Sequence, residues 1–181
     1  VWKVRITNKG NTARKLSAFT YLEYAANWNA MDDLLNIQYT HYTAQMKFNE
    51  GMIDHGTNVY IPEMPDNFKE KDQGRHTFMA LAGVDVVGFE TDRERFLGAY
   101  RTYANPVTVE QGICSNFEAW GDNPCGTLQT NLELNPGETR TFLVLVGIGK
   151  ASVEGKKAVN DFKDLTQADR ELENVKLYWH K

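Results

Sequence analysis

The stretch from Tyr24 to Tyr42, YAANWNAMDDLLNIQYTHY, carries the side chains whose types and spacing are best suited to chemistry. Aromatic rings, amides and two carboxylates alternate along it. Such a mixture suits a surface that contacts sugar, because rings stack on pyranose faces while amides and carboxylates hydrogen-bond hydroxyl groups. An exposed strand end and turn whose polar groups meet water explains the same residues. The stretch alone leaves these two interpretations equal.

The adjacent carboxylates of Asp32 and Asp33 are candidates for acid–base catalysis within that stretch. Adjacent residues on a strand point to opposite faces, however. An acid and a base that act on a glycosidic bond converge on it from two sides, with carboxyl groups roughly 5 to 9 Å apart. Turn and capping roles therefore suit these two aspartates better than catalysis.

Two other groups of titratable residues raise the same question. Asp54 and His55 resemble a catalytic dyad, but no serine or cysteine nucleophile stands in a recognisable context. Residues 72–76, DQGRH, place an arginine and a histidine beside a glycine, where an anion such as phosphate could bind, although a loop that re-enters a sheet explains them better. The sequence contains neither a P-loop nor a glycine-rich dinucleotide fingerprint. We therefore recognise no self-sufficient catalytic set.

The composition excludes several classes of function. The chain has 181 residues, of which 41% are hydrophobic and 12% aromatic, which suffices for one domain with a sizeable core. Its net charge is -4 and it has no basic patch, which argues against a nucleic-acid partner. No apolar run approaches the roughly 20 residues that cross a bilayer, so we expect no membrane partner.

The two cysteines, Cys114 and Cys125, are few enough to limit the possibilities. A disulfide between them is compatible with the turn-rich segment that separates them. Reduced thiols are favoured because nothing else indicates secretion, and this predicts a cytoplasmic location. The pair supplies too few ligands for a metal site.

The elements that must position these residues follow a β pattern up to residue 150. Residues alternate with period two from Trp2 onward, and turns at 49–51 and 135–138 separate the strands that we predict on either side of them. Strands are also predicted over 16–24, 77–87 and 139–148, and the last of these contains an apolar run. The predicted class is mainly β, an antiparallel β-sandwich of two packed sheets followed by C-terminal linker helices.

Three helices interrupt or follow this pattern. A short one is predicted over 91–97, with Thr91 as N-cap and Glu94 completing a capping box. After residue 150 the period changes, so we divide the chain into a sandwich over 1–150 and a helical linker over 151–181. The linker contains a helix over 153–162 and a second that begins after Thr166. The apolar side of the second helix needs a partner, and it consists of Leu172, Val175 and Trp179.

Several segments together resemble one family, in the same order and over essentially the whole chain. They are VWKVRITN, FTYLEYA, DDLLNIQY, FETDRERFLGAYRTYANP, CSN followed by GDNPCGTLQ, and LNPGETRTFLVLVGIGK. The chain is similar to the N-terminal sandwich region of the inverting disaccharide phosphorylases of glycoside hydrolase family 94. This family includes cellobiose, cellobionic acid and chitobiose phosphorylases. The segment from ETDRERFLGAYR to CGTL most resembles the chitobiose enzyme, whereas DDLLNIQY is more similar to the cellobiose enzymes.

The resemblance implies a layout and a reaction. A sandwich is followed by a helical linker, an (α/α)6 barrel and a small C-terminal sheet, so residues 151–181 would lead toward a barrel. Phosphate would attack the anomeric carbon and a barrel aspartate would protonate the leaving oxygen, giving an α-sugar 1-phosphate. Inorganic phosphate is then a co-substrate, and no metal or organic cofactor takes part. The chain starts within a strand pattern and ends within a helix, so we expect a segment that is inactive without its parent enzyme.

The resemblance also implies a binding site and partners. Asn36 and Gln38 match an Asn-x-Gln element of the sandwich that contributes to the acceptor-sugar pocket. Tyr39 stands where cellobiose phosphorylases have arginine, which leaves room for cellobionic acid or an N-acetylated sugar. Strand alternation would bring only one of Gln38 and Tyr39 to the pocket. The implied partners are the disaccharide or its acceptor sugar, the catalytic barrel and a second copy in a homodimer.

Two other hypotheses remain open from the sequence. One is a free-standing carbohydrate-binding sandwich with a platform of Trp28, Tyr39 and Trp120. The other is a dimerisation scaffold without sugar contact. An amphipathic final helix without a partner argues against the free-standing module, because such a module has no use for an uncovered apolar side.

Overall fold

The structure is a computed structural model that describes residues 1–24, 44–57 and 76–180. Its strands are β1 (Trp2–Thr7), β2 (Arg14–Phe19), β3 (Leu22–Glu23), β4 (Ala44–Asn49), β5 (Met52–Thr57), β6 (His76–Ala82), β7 (Gly88–Asp92), β8 (Pro124–Leu134) and β9 (Thr139–Ile148). Its helices are α1 (Arg93–Leu97), α2 (Val107–Gln111), a π-helical turn (Ala151–Gly155), α3 (Lys156–Asp161) and α4 (Gln167–Trp179). None of the helices in this part of the chain is long and apolar enough to cross a membrane.

Two antiparallel sheets pack face to face, as predicted. The inner sheet has the order β1-β9-β6-β5-β4. In the outer sheet, β8 pairs with β2 and β3 along one edge and with β7 along the other. The core between the sheets contains Met46, Ile53 and Met79 from the inner sheet and Leu128 and Leu132 from the outer sheet. The mainly-β sandwich is therefore confirmed.

The inner sheet is apolar on both faces, because the C-terminal helices cover the face turned away from the sandwich core. Phe78 and Leu143 pack there with Phe162 and Leu165. This accounts for the sequence of β6 and β9, which read as continuous apolar runs and not as alternating patterns. The molecule thus has three layers: outer sheet, inner sheet and helices.

The turns follow their predicted chemistry. Glu50 and Gly51 have φ values of 50° and 78°, as a two-residue hairpin of the I′ kind requires. Gly137 has φ of 77°, and the N–H of Glu138 donates to the carbonyl of Asn135 at 3.0 Å. β9 occupies residues 139–148, the range that the apolar run predicts.

Two strands end earlier than predicted. The strand expected over 16–24 is divided into β2 and β3, because the hydroxyl of Thr20 accepts the hydrogen bond of the Leu128 N–H at 2.9 Å in place of a backbone carbonyl. The strand expected over 77–87 ends at Ala82. Gly83, with φ of 89°, turns the chain away from the sheet there.

The predicted N-cap of the first helix is wrong by one residue. The carboxylate of Asp92 accepts from the N–H groups of Glu94 and Arg95, at 2.8 and 3.2 Å. Thr91 is buried, and its hydroxyl bonds to backbone groups of Phe117 and Ala119. The capping box of Thr91 with Glu94 is therefore absent.

Both cysteines are buried free thiols, which confirms the preference for reduced cysteines. The N–H of Cys114 donates to the side chain of Gln129, whereas Cys125 lies four residues earlier on β8. Four residues of strand span about 13 Å, so Cys125 lies about that far along β8 from the residue that Cys114 contacts. This is too far for a disulfide between the two cysteines. Burial raises the pKa of the Cys114 thiol to about 12.

Candidate functional site

The residues predicted to contact sugar lie outside the described part of the chain. This holds for Asn36, Gln38 and Tyr39, and also for Trp28, Asp32 and Asp33. The structure instead describes the residues that flank this stretch, Tyr24 on one side and Ala44 on the other.

The flanking residues converge at one end of the inner sheet. Ala44, which begins β4, lies opposite Thr57, which ends β5. His76, which begins β6, lies opposite Gly56. The described chain therefore meets the stretches 25–43 and 58–75 at this end of the inner sheet, through Ala44, Thr57 and His76.

A row of four residues crosses the sheet at this end. Trp120 forms an antiparallel bridge with Gln45, Gln45 lies opposite Gly56, and Gly56 lies opposite His76. Residues directly opposite each other in antiparallel strands present their side chains on the same face. We call Trp120, Gln45, Gly56 and His76 the edge row. It brings an indole, an amide and an imidazole to one face of the sheet.

The edge row faces away from the sandwich core. Met46, the next residue along β4 after Gln45, is 1% exposed and belongs to the core between the sheets. Alternation along the strand therefore turns Gln45 to the other face. Trp120, in the same row, is 66% exposed.

Gly56 allows the imidazole of His76 to lie against the sheet. A Cβ atom on Gly56 would meet ring atoms of His76 at 2.9 and 3.1 Å. The Nδ1 atom of His76 lies 2.5 Å from Oδ1 of Asp54, and Oδ2 of Asp54 accepts from the N–H of Ala151 at 2.7 Å. A carboxylate can only accept, so Nδ1 carries the proton. Asp54 thus fixes both the orientation and the tautomer of the ring.

Asp54 and His55 do not form a dyad, in agreement with the weak case for one in the sequence. His55 points into the sandwich, where it is 1% exposed and stacks on Tyr24 with ring centroids 4.4 Å apart. Asp54 points to the opposite face and pairs with His76. Of the predicted anion-binding group 72–76, only His76 is described.

The backbone on either side of Trp120 is held by the edge strand. We call residues 114–121 the bridging segment. The N–H of Met46 donates to the carbonyl of Ala119 at 3.0 Å, and the N–H of Gly121 donates to the carbonyl of Ala44 at 2.7 Å. The exposed indole therefore stands on a backbone that is tied to β4.

The outer sheet holds the bridging segment from its other side through a buried carboxylate. Glu90 is 0% exposed. One of its oxygens accepts from the N–H groups of Thr91 and Asp92, at 3.0 and 3.2 Å. The other accepts from the N–H of Ser115 at 3.3 Å and from its hydroxyl. Such hydrogen bonds offset the desolvation of a buried carboxylate.

Thr91 and Gln129 complete this attachment. The Thr91 hydroxyl donates to the carbonyl of Phe117 at 2.6 Å and accepts from the N–H of Ala119 at 2.8 Å. Gln129 accepts from the N–H of Cys114 and donates to the carbonyl of Gly112. Sequence reasoning missed this set. Its only signal was a glutamate inside a strand-like sequence, FETD.

A second polar cluster lies at the other flank of the 25–43 stretch. Glu23 accepts hydrogen bonds from the hydroxyls of Tyr103 and Tyr21 and from Nε of Arg93. The hydrogen bond from Tyr103 is the largest of the effects that lower the pKa of Glu23. The ring of Tyr21 stacks on Phe96 with centroids 4.6 Å apart. The strand that leads into Tyr24 is thereby anchored.

Within the described residues, no three His, Cys, Asp or Glu side chains group together as ligands for a metal ion. His76 of the edge row pairs with Asp54, and the other members, Trp120, Gln45 and Gly56, are uncharged residues. What this arrangement can do is present a ring face and neutral hydrogen-bonding groups to a ligand.

Comparison with known proteins gives a consistent family. The family model described as "Glycosyl hydrolase 94, supersandwich domain" matches residues 1–165. An N,N'-diacetylchitobiose phosphorylase of Vibrio furnissii is 32% identical over 179 residues, which are 99% of this chain and 21% of that protein. The corresponding enzyme of Vibrio proteolyticus is 30% identical, over the same shares of the two chains. A solabiose phosphorylase of Paenibacillus borealis is 26% identical over 147 residues, 81% of this chain and 18% of that protein.

Proposed function

The chain belongs to glycosyl hydrolase family 94, in which it matches the supersandwich domain, and we propose that it is the non-catalytic sandwich domain of a β-disaccharide phosphorylase that shapes the acceptor-sugar site. It spans about a fifth of the length of the curated relatives that it matches, 21% in the first two. The proposal therefore concerns a part played within a larger enzyme. The observation that carries it is the edge row, which lies where the 25–43 stretch joins the sheet.

The parent reaction converts a disaccharide and inorganic phosphate into an α-sugar 1-phosphate and a shortened sugar. In this proposal the reacting groups belong to a catalytic barrel, and this chain binds and orients the acceptor sugar. Asn36, Gln38 and Tyr39 contact that sugar. Both Vibrio relatives are named for N,N'-diacetylchitobiose, and this favours an N-acetylated acceptor over glucose or gluconic acid.

The C-terminal helices form the connection to the barrel in this proposal. The apolar side of α4 supports it, since Leu172, Val175 and Trp179 are 53, 52 and 77% exposed. The same residues argue against a free-standing carbohydrate-binding module. The domain also contributes to a homodimer, and the two buried reduced thiols are in keeping with a cytoplasmic enzyme.

Phosphate consumption by the full-length enzyme tests the proposal. N,N'-diacetylchitobiose, cellobiose and cellobionic acid are supplied in turn, and we expect phosphorolysis of the first. Absence of phosphate-dependent cleavage with all three disaccharides would contradict the function.

A Gln38→Ala variant of the same enzyme tests the predicted site. We expect a higher KM for the acceptor sugar in the synthetic direction and a lower kcat/KM. If both constants equal those of the wild type, Gln38 does not contact the sugar.

A further inference from the structure

We propose that the edge row is a pyranose-binding surface and that Trp120 is its stacking platform. This inference rests on the proposed function, because it makes the row the part of the acceptor-sugar site that the inner sheet supplies. It assigns sugar-contacting roles to Trp120 and Gln45. It leaves the roles of Asn36, Gln38 and Tyr39 as they were.

The dimensions of the row suit a sugar. Neighbouring strands lie about 4.8 Å apart, so three steps from His76 to Trp120 span about 14 Å. Gly56, which lies between His76 and Gln45 in the row, has no side chain and lies under the imidazole of His76. The row is therefore a shallow surface with an indole at one end and an imidazole at the other, long enough for a disaccharide.

The chemistry of the row is that of a neutral, hydroxyl-rich ligand. The indole offers an apolar face to the C–H groups of a pyranose ring. The amide of Gln45 can both donate to and accept from a hydroxyl group. Asp54 balances any charge on His76. A phosphate or a sugar acid would meet the negative charge of Asp54 beside the imidazole, so the row favours a neutral sugar.

Trp120 differs from Phe117 and Tyr103, two other rings at the surface, in what stacks on it. The Phe117 ring lies under the guanidinium of Arg95 at 3.8 Å, and Tyr103 lies under that of Arg93 at 5.7 Å. Among the described residues, no ring or guanidinium stacks on Trp120, which is 66% exposed.

The row is also pre-organised. A backbone hydrogen bond from Met46 to Ala119 and one from Gly121 to Ala44 fix the residues beside Trp120. Asp54 fixes the imidazole. Groups that are already held in place lose little conformational entropy when a ligand binds, which raises the affinity for a given set of contacts.

Acceptor kinetics of the full-length enzyme test the proposal. Trp120→Ala and Gln45→Ala are compared with Tyr100→Ala, which removes a fully exposed ring outside the row. We expect the KM for N-acetylglucosamine in the synthetic direction to rise about tenfold in Trp120→Ala and less in Gln45→Ala. The kcat at saturating sugar and the KM for the sugar 1-phosphate should stay near wild type, as should all constants of Tyr100→Ala.

Trp120→Phe keeps a ring and should recover most of the affinity, which guards against loss of function through misfolding. An acceptor KM within twofold of wild type in both Trp120→Ala and Gln45→Ala overturns the proposal. So does an equal rise in Tyr100→Ala.

Tryptophan fluorescence separates this proposal from the parent function. N-acetylglucosamine is titrated into the wild type and into Trp120→Ala. A change that occurs in the wild type and is lost in the variant supports the row even if the enzyme cleaves none of the disaccharides. Phosphorolysis without any sugar-dependent change, or a change that persists in Trp120→Ala, overturns the row while the proposed function stands.

Discussion

The bridging segment takes part in two polar clusters, one through Ser115 and one through Trp120, and these clusters are built in opposite ways. The Glu90 cluster, made of Glu90, Thr91, Ser115 and Gln129, is closed: the Glu90 carboxylate is fully buried and accepts from backbone N–H groups and the Ser115 hydroxyl. The edge row is open, with Trp120 66% exposed. The closed cluster uses its hydrogen bonds to position backbone. In the open one, other residues hold the backbone beside Trp120 and the ring of His76, and the indole of Trp120 remains available to a ligand.

If the Glu90 cluster is purely structural, removing its carboxylate should give the largest loss of stability. Glu90→Ala leaves the N–H groups of Thr91, Asp92 and Ser115 without their acceptor in a buried place. We expect the free energy of unfolding to fall by about 3–5 kcal/mol, measured by urea denaturation.

Glu133→Ala is the matched control, because Glu133 is an exposed glutamate on β8 that pairs with Lys15 at 3.8 Å. Its loss should cost at most about 0.5 kcal/mol. Similar values for the two variants would mean that the Glu90 carboxylate is dispensable and that the contrast between the clusters is wrong.

The contrast also marks what the sequence could reveal. The range of β9 and the hairpin at 49–51 depend on local signals, namely an apolar run between two glycine turns and an Asn-Glu-Gly triplet, and both were predicted. The N-cap was missed because Thr91 bonds to residues 26 and 28 positions away, Phe117 and Ala119. A local capping rule cannot anticipate such a tertiary demand.

The edge row escaped prediction for the same physical reason. Its members come from three strands and the bridging segment, and only the register of the sheet places them side by side. Trp120 was recognised as a candidate platform from its type alone. Gln45 and Gly56 carry no local signal, because a glutamine and a glycine in a strand are ordinary until their neighbours across the sheet are known.

A substitution at Gly56 in the edge row should cause a smaller loss of stability than Glu90→Ala. Gly56→Ala places a methyl group within about 3 Å of the His76 ring, so the ring must move away from Asp54. We expect a loss of about 1–2 kcal/mol in the free energy of unfolding and a displaced imidazole resonance of His76 in NMR spectra.

A double-mutant cycle with His76→Ala isolates this contact. In the His76→Ala background, the methyl group meets no ring, and Gly56→Ala should cost distinctly less than in the wild type. Equal costs in both backgrounds would show that the glycine serves the strand itself and does not make room for the ring.

The cluster of Glu23, Tyr21, Tyr103 and Arg93 lies between the two extremes. The Glu23 side chain is 47% exposed and still accepts three hydrogen bonds. Its pKa is lowered in the folded protein, first by the hydrogen bond from Tyr103. A carboxyl group with a lowered pKa stabilises the fold above its unfolded pKa, and this contribution is lost as the pH falls through the folded value. Tyr103→Phe should therefore destabilise the protein at neutral pH and have little effect once the pH is low enough to protonate Glu23.

The expected size is below about 1 kcal/mol, because solvent screens a half-exposed pair. Urea denaturation of Tyr103→Phe at a series of pH values measures it. Tyr100→Phe is the control, because among the described residues the hydroxyl of Tyr100 makes no hydrogen bond, and its removal should leave stability unchanged at every pH. A difference between wild type and Tyr103→Phe that persists in acid would mean that the Tyr103 hydroxyl acts through Arg93, to which it is also bonded at 3.0 Å, and not through the carboxylate. The cluster around Glu23 would then hold β3 through the guanidinium of Arg93, and not through a titratable contact at the surface.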